Sequence, residues 1–206
     1  MILSRRGLMV GGMAALALAG CNNTFHTFYE KPVDAKVSRG WHVVDVRVAV
    51  PQSLTVSEAK TWEPTADIVW REDPDTGDRH AQVAAIMKTA VALGAKGLHG
   101  PRQVRLELTV SRFHALTFEA EKALENVGVH NINFVIQAVD ARTGAVLAGP
   151  EAVDAAFPAM SGQQMYQARQ RGETQKSQII AHVRDVTSGW LGIGPDPRMT
   201  FVRAGE

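Results

Sequence analysis

Two alternating segments separated by one amphipathic helix constrain this chain more than any other feature. Trp41 to Val50, WHVVDVRVAV, sets Val44, Val46, Val48 and Val50 on one side and Val43, Asp45, Arg47 and Ala49 on the other. Arg102 to Phe113, RQVRLELTVSRF, repeats the pattern, with Val104, Leu106, Leu108 and Val110 toward a core and Arg105, Glu107, Thr109 and Ser111 outward. Period two with β-branched residues marks a half-buried strand. Between the strands, Val83, Ile86, Met87, Ala90 and Val91 recur at helical spacing. That spacing predicts a helix from Arg79 to Leu93, capped by Asp78 and stopped by Gly94 and Gly97. A helix between two strands lets them lie as parallel neighbours through a right-handed crossover.

The remaining pattern fills out one layered domain. Ser57 and Glu58 are expected to open a short helical turn, and Ile68-Val69-Trp70 reads as a short strand. Leu116 to Leu124 reads as a short helix. Asn131 to Asp140 reads as a strand, turned at Gly144, where a hairpin needs positive φ, into a return strand from Ala145 to Ala148. Gly162 to Arg171 is a polar helix. Thr174 caps a longer helix to Leu191, with Ile179, Ile180, Val183, Val186 and Trp190 as its apolar face. This order of elements predicts an α/β fold (an α+β sandwich), a mixed β-sheet of about 4–5 strands with helices packed on it.

The first twenty residues differ in kind. Arg5 and Arg6 are their only charges, Leu8 to Ala19 is apolar apart from glycine, and Ala19 and Gly20 precede Cys21, the single cysteine of the chain. A basic start, a short apolar core and a small-residue exit are the parts of a secretory signal. The core of about 12 residues is too short to span a bilayer, which takes roughly 20. Leu18-Ala19-Gly20-Cys21 resembles the lipobox of bacterial lipoprotein precursors. That resemblance implies cleavage before Cys21 and acylation of its thiol and new amine, and two or more chains anchor stably where one does not. Ser4 to Met9 also resembles a twin-arginine export signal, without its usual phenylalanine. A lone cysteine leaves no intramolecular disulfide.

The expected organisation is therefore a signal peptide at 1–20, a lipidated N-terminus and tether at 21–40, and a single globular α/β domain at 41–206. In the tether, Phe25, Phe28 and Tyr29 are left to rest on the membrane interface or to dock on the domain. Removal of Arg5 and Arg6 takes Lys plus Arg from 22 to 20 against 21 acidic residues, so the net charge changes from +1 to −1. Such a balance offers no field for nucleic acid.

The segments SRFHAL, DARTG and GETQKSQIIAHV resemble an uncharacterised lipoprotein family of marine and photosynthetic alphaproteobacteria. The order of elements is also loosely similar to envelope domains of the TolB amino-terminal type. Neither resemblance implies an activity or a functional residue.

Motifs that carry chemistry are missing. None of the seven histidines is paired at ligand spacing, and no cysteine remains for a metal. Asp73, Asp75 and Asp78 suggest a calcium loop, but the glycine and glutamate of that pattern fall out of register. Gly-x-Ser-x-Gly is absent, and GAKGLHG and GWLGIG fit neither a phosphate loop nor a dinucleotide fingerprint. Glu121 and Glu125 share a predicted helix face that reads as solvated, and His114, between Arg112 and Glu119, reads as a strand-end histidine in a polar contact. No catalytic residue, metal or cofactor is expected.

The expected function is that of a lipid-anchored envelope protein, joined to the bilayer through acylated Cys21. It faces the periplasm, with Asn22 favouring the outer membrane, and binds an envelope protein as an accessory or assembly factor. The expected contact residues are Trp62, Trp70, Asp73 and Asp75, in a Pro-broken loop rich in Trp, a residue enriched at binding hot spots. The alternative is a lipid or small-molecule carrier, or an unrecognised hydrolase. A carrier needs an enclosed apolar cavity of several hundred Å³.

Overall fold

The structure, a computed structural model, describes residues 23–72, 74–123, 125 and 127–203. The expected signal peptide, Cys21 and Asp73 lie outside the described residues. The elements run β1 (Asn23–Phe28), α1 (Ala35–Ser38), β2 (Trp41–Ala49), β3 (Ile68–Val69), α2 (Arg79–Gly94), β4 (Arg102–His114) and α3 (Phe118–Ala123). They continue β5 (Val129–Asp140), β6 (Val146–Ala155), β7 (Phe157–Pro158), α4 (Gly162–Gln170), α5 (Gln175–Trp190) and β8 (Met199–Arg203). The fold is α+β, with a mixed sheet in the order β2-β4-β5-β6-β1-β8; β3 adds to β4, and β7 adds to β5.

The unit read first from the sequence forms as expected. β2 and β4 pair in parallel, from Trp41 opposite Arg102 to Ala49 opposite Thr109, with α2 as their crossover. Asp78 caps α2, its carboxylate accepting from the backbone N–H groups of His80 and Ala81. One detail of β2 differs. Val43 pairs with Val104 and Asp45 with Arg105, so Val44 is an extra residue without a partner. This bulge puts Trp41, Val43, Val46 and Val48 on the core side and leaves Val44 46% exposed, where strict alternation predicts it inward.

Helices α2 and α5 cover one face of the sheet. Val83, Met87, Ile179 and Val183 meet Leu106, Val110, Ile132 and Phe134 there. The helices approach closely at Gly94, where an added Cβ would stand 2.6 Å from the Arg184 carbonyl and the Thr187 Cβ. Thr174 caps α5 through a reciprocal capping box with Ser177. The opposite sheet face carries polar side chains in solvent contact, including Arg47, Glu107, Thr109 and Ser111, an arrangement that mostly antiparallel sheets allow.

The sheet has eight strands, not the expected four or five. Three extra strands, β1, β7 and β8, come from segments with too little apolar alternation to read as strands. The turn at Gly144 has φ +75°, as the hairpin requires, but its return strand β6 runs on to Ala155. No helix forms at Ser57 and Glu58; Val56 instead bridges Ile68. The expected tether is part of the fold from Asn23 onward. β1 lies between β6 and β8, Phe25 stacks on Phe201 at 5.8 Å, and Tyr29 is buried. Of the two placements left open for these aromatic residues, Phe25 and Tyr29 dock on the domain, while Phe28 stays 52% exposed. Among the described residues, no helix is long and apolar enough to cross a membrane.

Candidate functional site

The connection from β2 to α2, residues 50–78, is a long loop interrupted only by the two residues of β3, and it carries the expected contact residues. Trp62 is 59% exposed, the most exposed large apolar side chain among the described residues. Asp75 is exposed as well. Trp70 is not available for contact. It is buried, edge-on to Phe113 at 5.8 Å and 85°. The triplet Ile68-Val69-Trp70 lies beside the end of β4, Ile68 opposite Phe113 and Val69 opposite His114, and its apolar side chains turn into the core. The indole N–H has no hydrogen-bond partner among the described residues.

The loop is long, but it is pinned at several points. Arg79, the first residue of α2, is almost wholly buried, and its guanidinium is saturated by local acceptors. It donates to Glu58 Oε1 at 3.0 Å, to the Pro74 carbonyl at 3.1 Å, to Gln82 Oε1 at 3.0 Å, and to the Asp75 carbonyl. A planar fork with five donors suits this clamp better than a lysine would. Arg71 adds a 2.6 Å ion pair to Glu58 Oε2 and donates to the Glu58 carbonyl. The hydrogen bond from Arg79, followed by the charges of Arg79 and Arg71, holds the Glu58 carboxyl below its usual range.

Farther along, Asp67 accepts from the backbone and hydroxyl of Thr55 at 2.8 and 2.7 Å. These bonds, then the charges of Arg112 and His114, keep its pKa low. His114 donates from Nε2 to the Ala66 carbonyl, the polar strand-end contact expected of it. Thr117, just before α3, donates to the Thr61 carbonyl at 2.8 Å, which fixes the backbone next to Trp62.

The end of the loop enters a second network. Glu72 is buried and pairs with Arg169 of α4 at 2.7 Å, and its other oxygen accepts from the Lys176 backbone N–H at 2.7 Å. Arg169 also forks onto Glu121 of α3, at 2.9 and 2.8 Å, and Gln175 donates to Glu121 at 2.7 Å. Hydrogen bonding to Glu121 raises the Arg169 pKa above its usual value. Glu121 is therefore part of a buried ion cluster and not a solvated helix face. Glu125 falls beyond the end of α3 and accepts from the Gln163 backbone N–H. Sequence spacing gives no sign of these pairs, because their partners stand about a hundred or about fifty residues apart.

A buried histidine cluster lies elsewhere. His130 of β5 and His182 of α5 flank the Phe157 ring, with centroids at 4.9 and 4.2 Å. Burial, then the neighbouring His182, lowers the His130 pKa to about 3, and burial lowers that of His182 to about 4. Thr27 donates its hydroxyl proton to the Ala156 carbonyl, so its oxygen can only accept from His182 Nε2, 3.2 Å away. Both imidazoles are neutral parts of the packing.

A groove of about 860 Å³ runs beside β1 and β6. Glu30, Lys31, Asn133, Glu151 and Asp154 line it together with Phe28 and Val135. Glu151 is committed to the backbone N–H groups of Glu30 and Lys31, at 2.6 and 3.1 Å. Such a lining differs from the enclosed apolar cavity a lipid carrier needs. Among the described residues, no three His, Cys, Asp or Glu side chains are placed to hold a metal ion.

This chain belongs to a family of unknown function, DUF6778, whose model matches residues 41–206. No curated protein matches it. Among solved structures, it is similar to the PelC dodecamer from Paraburkholderia phytofirmans, at 12% identity and TM-score 0.35, over 81% of this chain and 96% of that one. A candidate lipoprotein from Caulobacter crescentus CB15 gives 13% identity and TM-score 0.35, over 78% and 97%. Protein XCC0632 of the DUF330 family, from Xanthomonas campestris, gives 11% identity and TM-score 0.43, over 81% and 91%. Likenesses this distant carry no function to the present chain.

Proposed function

We propose that this chain is a lipid-anchored protein of the bacterial cell envelope. In this reading it is a non-catalytic binding or assembly factor that contacts an envelope protein through the loop at 50–78. The lipobox supports the anchor: cleavage before Cys21, acylation of that residue, and a domain held on the periplasmic side, with Asn22 favouring the outer membrane. One observation carries the binding role. Trp62 stands 59% exposed on a loop whose backbone is clamped by buried Arg79 and by Thr117. A large aromatic side chain on a pre-organised loop loses little entropy on binding, and tryptophan dominates interface hot spots. Asp75, held in the same clamp through its carbonyl, is an exposed residue of the same loop.

Crosslinking and pull-down of the acylated protein from its native membrane test this reading. Trp62→Ala should lower partner recovery at least tenfold while the melting temperature stays within about a degree, because the side chain contributes little to the core. Unchanged recovery would remove the loop from the interface. Recovery of a bound lipid, with no protein partner, would transfer the function to the carrier class.

A further inference from the structure

Strand register places Trp62 and the lipid attachment at one end of the molecule. Arg112, Asn133, Asp154 and Phe28 are paired in a row across β4, β5, β6 and β1, which defines a common level. From that level β1 runs back five residues to Asn23, about 17 Å at strand spacing. β4 runs forward in the same direction through Phe113 to its end at His114, three residues before Thr117, which holds the backbone of Thr61. The hairpin at Asp140 to Gly144 lies at the other end of β5, nine residues beyond Asn131, or roughly 30 Å.

Cys21 precedes Asn23 by two residues, a reach of about 7 Å. No tether of the expected length intervenes, so an acylated Cys21 holds this end of the sheet against the headgroups. The Trp62 loop then faces the bilayer and the hairpin faces away. The loop's exposed charge selects among possible occupants. Among the described residues of the loop, exposed Glu63 and Asp75 outnumber Lys60, leaving aside the clamped Glu58 and the helix-capping Asp78. Net acidic charge on the loop opposes insertion of its tryptophan into an anionic bilayer and suits a basic protein surface.

We propose that the Trp62 loop binds a protein resident in the same membrane, through a basic surface that surrounds an apolar pocket at the headgroup level. This rests on the lipid-anchored reading above. The test uses acylated protein in vesicles of phosphatidylethanolamine and phosphatidylglycerol that carry a headgroup-labelled acceptor lipid. With Cys21 acylated, Glu63→Cys or Thr143→Cys supplies the single free thiol for a donor dye. Energy transfer from position 63 should exceed that from position 143 several-fold. Equal transfer, or the reverse order, from protein shown by mass to be acylated overturns the proposal and leaves the anchor intact. Protein that carries no acyl chain overturns both. The Trp62 contribution, taken as the difference between wild-type and Trp62→Phe emission, should keep an exposed, red-shifted maximum in the protein-free vesicles. A blue shift with quenching by brominated lipid would make the bilayer itself the occupant and overturn the partner class. In native membranes, a photocrosslinker at position 63 should yield adducts that resist carbonate extraction. Adducts confined to extractable proteins contradict the proposal.

Discussion

Lowering the pH from 7.5 to 5 should destabilise this fold through its buried histidines. His130 and His182 have folded pKa values of about 3 and about 4, against an ordinary value of 6.5. Between those limits the unfolded chain binds protons that the folded chain refuses, so stability is fully present above pH 6.5 and falls as the pH drops toward the folded values. A pH of 5 lies 1.5 units below the unfolded pKa of each imidazole and above both folded values. At 1.36 kcal/mol per unit, that is about 2 kcal/mol for His130 and somewhat less for the partly exposed His182, or roughly 3–4 kcal/mol together. Glu58, Asp67, Glu107, Asp140 and Asp196 all have lowered pKa values, so they lose their stabilisation only as the pH falls into the carboxylate range. The window from 6.5 to 5 therefore belongs to the imidazoles.

Urea unfolding at the two pH values, followed by tryptophan fluorescence, measures the difference. His130→Leu should remove about half of it. That variant should also lose little stability at pH 7.5, since neither ring nitrogen has a hydrogen-bond partner among the described residues. Equal midpoints for the wild-type protein at both pH values, or the full pH slope retained in His130→Leu, would refute the reasoning.

Other perturbations follow from the same contacts. Glu72→Ala should cost about 2–3 kcal/mol in a denaturant melt, because it leaves Arg169 with one fewer carboxylate and the Lys176 N–H without its acceptor. Gly94→Ala should cost about 1–3 kcal/mol, since its Cβ meets α5 backbone at 2.6 Å, and the crossing of α2 over α5 cannot widen freely. Thr174→Ala should cost about 1 kcal/mol in the same melt by removing the capping box of α5. In a Tyr166→Phe background, ultraviolet titration should find Tyr29 ionising only near pH 12, because burial and then Asp196 oppose its phenolate.

The parts of the fold legible in the sequence are those where one residue pattern meets one requirement. β2, α2 and β4 each carry several apolar side chains at the right period, and caps at Asp78 and Thr174 mark where the long helices begin. β1 and β8 are different. Each is short, and in each only one aromatic ring, Phe25 or Phe201, faces the apolar cluster, so their strand state comes from mutual pairing rather than from alternation. β6 contains Gly149 and Pro150, which read as a break, yet the strand resumes beyond them because Val153 and Ala155 close the core.

The candidate site divides in the same way. Loop signals around Trp62 suit its exposure without requiring it, whereas the apolar triplet Ile68-Val69-Trp70 already favours burial of Trp70. The clamp of Glu58, Arg71 and Arg79 and the pairing of Glu72 with Arg169 depend on tertiary distances, to which sequence spacing is blind.

Intact mass and detergent-phase partitioning of the membrane-extracted protein, alongside Cys21→Ser, test the central claim most directly. The anchored reading predicts a wild-type chain that begins at Cys21, carries acyl mass and enters the detergent phase, and a Cys21→Ser chain that stays aqueous or unprocessed. A Cys21→Ser chain of mature mass that still partitions into detergent, or a wild-type chain without acyl mass, would contradict it.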